Sequence, residues 1–86
     1  MPNRSKSGAY VIQVGYFSNI ADADRTRSRF QNIGPVEVFT VATDSDILFE
    51  VRIGPLNDPV QARGALKDVM SAGYHDAKLI APVNAL

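Results

Sequence analysis

Few side chains in this sequence are suited to making or breaking bonds. There is no Cys, so disulfides and thiolate metal ligation are excluded, and the lone His75 has no partner at ligand spacing. Asp44 and Asp46 lie two apart in a polar stretch, too few carboxylates for an oxygen cage, and no metal is expected. Glu37 and Glu50 are the carboxylates that neighbouring strands could bring to one face, as glycoside hydrolysis would need, but nothing around them suggests a deep cleft. Arg25, Arg27 and Arg29 form a basic run in which only Arg25 and Arg29 share a helical face, with Asp22 close by, so a solvated helix surface accounts for them. What remains is chemistry of binding. Gln13 offers both a donor and an acceptor, Arg52 offers a charged fork of donors, and each stands between apolar neighbours. No catalytic residue and no cofactor are expected.

Composition points the same way. The chain has 86 residues, enough for one small domain, and 45% of them are apolar and 21% charged, as in ordinary globular proteins. Nine Lys and Arg balance nine Asp and Glu, so no global positive field favours a nucleic acid partner. No stretch approaches the ~18 to 20 apolar residues of a membrane span, so no direct membrane contact is expected of this domain. Met1 to Ala9 has no apolar core of a signal peptide, and any export signal would lie outside this chain.

The candidate residues must be positioned by elements that the hydrophobic pattern describes. Residues 1–9 are polar and small and read as a linker. From Tyr10, alternation sets Tyr10, Ile12 and Val14 on one face of a strand and Val11, Gln13, Gly15 and Phe17 on the other. Ser18 and Asn19 offer N-caps to an amphipathic helix whose inner side is Ala23, Thr26, Phe30 and Ile33, closed by Gly34-Pro35 with the glycine suited to a left-handed position. Val36 to Ala42 and Ile47 to Gly54 read as a hairpin around Thr43 to Asp46. Asp58-Pro59 caps a second helix that carries Ala62, Ala65, Leu66 and Val69 inward and stops at Gly73. Ala77 to Ile80 is a short last strand, the domain spans 10–81, and 82–86 is a tail.

An internal repeat ties these elements together. At an offset of 39 residues Val14-Gly15 aligns with Ile53-Gly54, Ala23 with Ala62, Phe30 with Val69 and Gly34 with Gly73. Two strand–helix–strand halves give a ferredoxin-like βαββαβ fold of the α+β class: a four-stranded antiparallel sheet, the first and third strands inside, both helices on one face. The other face stays open. It is expected to carry Val11, Gln13, Gly15, Phe17, Leu48, Glu50 and Arg52, with Glu37, Phe39 and Val41 from the second strand, a surface more apolar than a monomer needs.

These residues resemble the SPOR (sporulation-related repeat) domain of bacterial cell-envelope proteins. The resemblance rests on Tyr10 to Asn19 (YVIQVGYFSN), Ala23, Leu48 to Leu56 (LFEVRIGPL), Ala62 and Gly73, and covers Tyr10 to Ile80. The sequence departs from the family pattern at Tyr16, where a small residue is common, at Thr26 in place of a Leu, and at Leu56 in place of an aromatic. The resemblance implies a non-catalytic module that binds peptidoglycan glycan strands lacking stem peptides, in the periplasm or cell wall, enriched at the division septum. Its glycan contacts would then be Gln13 to an acetamido group, Arg52 to the lactyl carboxylate, Glu50 beside them, and Tyr16, Phe17, Phe39 and Leu48 against sugar faces; the residues alone equally allow Arg52 to neutralise Glu50 or Glu37, and favour Phe17 folding under the first helix as a staple against its first turn. Ser18 and Asn19 would add contacts at the strand-to-helix junction. A catalytic domain of the parent protein, of amidase or lytic transglycosylase type, would lie outside this chain, and a monomer is the default. The alternative is a protein- or RNA-binding module of the same fold. Against RNA stands the middle strand, which reads Glu50-Val51-Arg52 where an RNA-binding sheet would present aromatics.

Overall fold

A computed structural model describes residues 9–82. Most of the expected linker (1–9) and tail (82–86) lies outside the described residues. The elements are β1 (Tyr10–Phe17), α1 (Ile20–Phe30), β2 (Val36–Ala42), β3 (Ile47–Leu56), α2 (Pro59–Ser71) and β4 (Lys78–Ile80). They build one antiparallel sheet of order β2-β3-β1-β4, so β3 and β1 are the inner strands as the repeat predicts. Ile12 and Val14 of β1 and Val51 and Ile53 of β3 are buried against Ala23 and Phe30 of α1 and Ala62, Ala65 and Val69 of α2. Both helices therefore cover one face, and burying this apolar set is the main source of stability.

Local chemistry sets the helix ends. Asn19 Oδ1 accepts from the Ala21 N–H at 2.7 Å to start α1, and Asp58 Oδ1 accepts from the Val60 N–H at 2.9 Å to start α2, with Pro59 in its first turn. Asp58→Ala is expected to cost about 1 kcal/mol while Asp58→Asn costs much less, because either side-chain oxygen satisfies the orphan N–H. Urea melts of the two variants check this. The end of α1 departs from expectation. Gly34 does not have a positive φ; the helix stops at Phe30, Gln31 stays right-handed, and the Ile33 N–H returns to Phe30 O at 3.0 Å. Gly34 is instead a matter of space, since a Cβ there would lie 3.1 Å from Leu56 Cδ2.

One irregularity decides which side chains reach the open face. Gln13 pairs with Arg52 but Gly15 pairs with Val51, so Val14 and Gly15 together oppose one residue of β3. Such a bulge resets the alternation of side chains. Phe17, which alternation sets on the open face and the staple reading sets inside, pairs with Phe49 and packs against the core, while Tyr16 turns to the open face opposite Glu50. At the other edge β4 is shorter than expected, beginning at Lys78, and it pairs only with Val11, Ile12 and Gln13.

Candidate functional site

The open face is organised around a carboxylate that almost no water reaches. Glu50, on inner strand β3, lies opposite Tyr16 of β1 and Phe39 of β2, and only 4% of its surface is exposed. A buried ionised carboxylate is costly unless it is hydrogen-bonded and paired. Here Glu50 Oε2 accepts from Gln13 Nε2 and, at 2.9 Å, from Arg52 Nε. Burial pushes the Glu50 carboxyl up, but the bonds from Gln13 and Arg52 and the charge of Arg52 outweigh it and hold the carboxyl below its ordinary value. A general acid would need the opposite shift, so Glu50 is not set up as the acid of a glycoside hydrolase. The expectation of Glu50 as a surface contact is corrected in the same way, because its neighbours cover it.

Glu50 fixes what its neighbours present. A carboxylate accepts only, so the Gln13 amide must turn its nitrogen inward, where Nε2 donates to Glu50 and also, at 2.9 Å, to the Tyr16 hydroxyl oxygen. Both amide hydrogens are thereby used. The Gln13 carbonyl oxygen is left as an acceptor, and the Tyr16 hydroxyl, accepting from Gln13, keeps its own proton to donate. Arg52 spends Nε on Glu50, holds its Cζ 5.2 Å from the centre of the Phe39 ring, and keeps its terminal nitrogens free of protein partners among the described residues. Tyr16 and Phe39 are 52% and 40% exposed, enough to offer ring surface to a ligand.

Gln13, Tyr16, Phe39, Glu50 and Arg52 thus form one connected patch. Leu48 continues it along β3, half-buried and opposite Val41. Ser18 and Asn19 stand exposed beyond the end of β1, where the Asn19 side chain already caps α1, and Phe17 is on the other face. Arg25 and Arg27 are paired with Asp22 and Asp24 on exposed α1, as a solvated helix surface requires. Among the described residues no group of His, Cys, Asp and Glu could hold a metal ion, and no helix is long and apolar enough to cross a membrane.

A further feature escaped the sequence reading. Because β4 stops pairing at Gln13, the second half of β1 borders a groove of about 670 Å³, closed on its far side by Tyr74, His75 and Asp76 of the α2–β4 loop. Lys78 lines this groove and pairs with Gln13 across the strands, so it belongs to the open face. Alternation about the apolar Leu79 would have placed Lys78 there; the loop that faces it carries no comparable signal.

Comparison with known proteins agrees with this architecture. The family model of the SPOR domain matches residues 6–80. Among solved structures, the crystal structure of the RlpA SPOR domain from Pseudomonas aeruginosa is similar, with a TM-score of 0.74 and 24% sequence identity over 85% of this chain and 99% of that one. No curated protein matches at a significant level. A structural likeness at that identity speaks for the fold alone, whereas the family model matches residues 6–80 of 86, and this chain belongs to the SPOR-domain family.

Proposed function

We propose that this domain binds peptidoglycan glycan strands from which the stem peptides have been removed, and so holds the protein that carries it at the septal wall of the bacterial envelope. Membership of the SPOR family supports a non-catalytic, peptidoglycan-binding module of the cell envelope. The observation that carries the finer reading is the Glu50 network, which presents a Gln13 acceptor and a Tyr16 donor side by side between two exposed rings. An acetamido group offers one N–H and one carbonyl and matches that pair. Phe39 and Tyr16 give apolar surface for the C–H faces of sugar rings, and the terminal nitrogens of Arg52 can donate to ring or hydroxyl oxygens. Stem peptides disfavour binding because they add bulk beside the sugar and convert its carboxylate to a neutral amide.

The test is co-sedimentation with purified sacculi before and after amidase treatment. Binding is expected to rise with peptide removal and to fall about ten-fold in Gln13→Ala and in Arg52→Ala, the loss of one or two polar contacts each. Absence of binding to either form of sacculus, by a domain with a native circular dichroism spectrum, would overturn the reading.

A further inference from the structure

The open face is electrically lopsided along one row. Strand register sets Glu37, Arg52, Gln13 and Lys78 side by side on β2, β3, β1 and β4. Arg52 is paired with the buried Glu50, so its charge is offset within the protein. Glu37 and Lys78 make no ion pair among the described residues. The row is therefore negative at the β2 edge, neutral in the middle and positive at the β4 edge. A lysine on an edge strand often serves to block pairing with another chain, but a strand of three residues is already too short to invite it.

We propose that Lys78 reads the lactyl carboxylate of a peptide-free muramic acid unit, with the glycan crossing the face so that this carboxylate falls at the β1–β4 groove and not over Arg52. The proposal rests on the glycan-binding reading above. A carboxylate placed over Arg52 would meet the charges of Glu50 and Glu37, whereas at the β4 edge it meets an ammonium that makes no ion pair among the described residues. Asp76 is the one acidic residue lining the groove; it comes from the loop and makes no ion pair with Lys78. His75 and Tyr74 line the same groove, whose volume of about 670 Å³ exceeds that of a sugar substituent. Attachment of a stem peptide makes the carboxylate an amide, so the contact that Lys78 supplies is present only for denuded glycan.

The experiment compares the wild-type domain with Lys78→Gln and Lys78→Arg on two probes: denuded glycan prepared with amidase, and the same glycan with its carboxylates chemically reduced to alcohols. Lys78→Gln is expected to weaken binding to denuded glycan about ten-fold, Lys78→Arg to retain it, and wild type and Lys78→Gln to bind the reduced glycan equally. Thermal melts should be unchanged, since Lys78 is exposed. Binding of Lys78→Gln within about two-fold of wild type on denuded glycan would overturn the inference and leave the glycan reading standing. An equal loss on both probes would overturn the carboxylate assignment. No wild-type binding to denuded glycan would bring down the glycan reading, and the inference with it.

Discussion

Replacing Gly54 by alanine is expected to destabilise the domain by roughly 3 kcal/mol or more, a large part of the stability of a chain this size. The residue has φ of 146°, a conformation that L side chains rarely adopt. A Cβ there would lie 2.9 Å from the carbonyl oxygen of Tyr10 and 3.2 Å from Cα of Val11, both backbone atoms of the neighbouring inner strand. Neither can yield without moving β1, and the Gly54 N–H is already bonded to Pro35 O at 2.8 Å, which anchors the start of β2. The same change at Gly64 is the control. That residue lies within α2, where an added Cβ meets nothing within 4 Å, so Gly64→Ala should stabilise by about 0.5 to 1 kcal/mol. Urea melts of the two variants should move in opposite directions. A Gly54→Ala midpoint close to wild type would mean that β1 and β3 do not approach each other this closely.

Gly54 also shows why so much of the fold was legible. Its partner in the repeat, Gly15, follows the same apolar alternation, and together with the caps at Asn19 and Asp58 this was enough to order the elements and orient both helices. Alternation also put Glu37, Phe39, Glu50 and Arg52 on one face correctly. It failed at Val14-Gly15, because a period of two gives no notice of an inserted residue, and every side chain after the bulge changes face. The glycine was the one local hint, since glycine within a strand often marks a bulge. That single residue takes Phe17 off the open face, leaving Tyr16 as the aromatic of β1 in the candidate site. Glu50 was misread for a different reason. On one strand a Glu next to an Arg at alternate spacing looks solvated, and its burial arises only when Gln13, Tyr16, Phe39 and Arg52 converge on it from three strands. The β1–β4 groove depends on where β4 stops pairing, which composition does not encode.

Removing the Glu50 carboxylate should be the most informative change in the site itself. Glu50→Ala is expected to cost roughly 2 to 3 kcal/mol, since it deletes two hydrogen bonds to a charged acceptor and leaves a void beneath Gln13 and Arg52. Glu50→Gln keeps the shape and should cost less, which makes it the better probe of charge. The folded protein holds the Glu50 carboxyl below its ordinary value, whereas the unfolded chain titrates near the usual value of about 4.3. The carboxylate therefore contributes its full stabilisation above about pH 4.3 and loses it as pH falls through the folded-state value. The stability gap between wild type and Glu50→Gln should accordingly be constant near neutrality and narrow in acid. A gap that stays constant or widens in acid would mean that Gln13 and Arg52 do not favour the ionised form. Glycan binding supplies the second readout. Glu50 is too buried to touch a sugar, yet its loss would free the Gln13 amide to rotate and release Arg52 from its fixed direction, so binding by Glu50→Gln should fall several-fold with the fold intact. Unchanged binding would show that the orientation of Gln13 is immaterial to the ligand, and a loss would assign Glu50 the role of positioning residue for a site it does not itself enter.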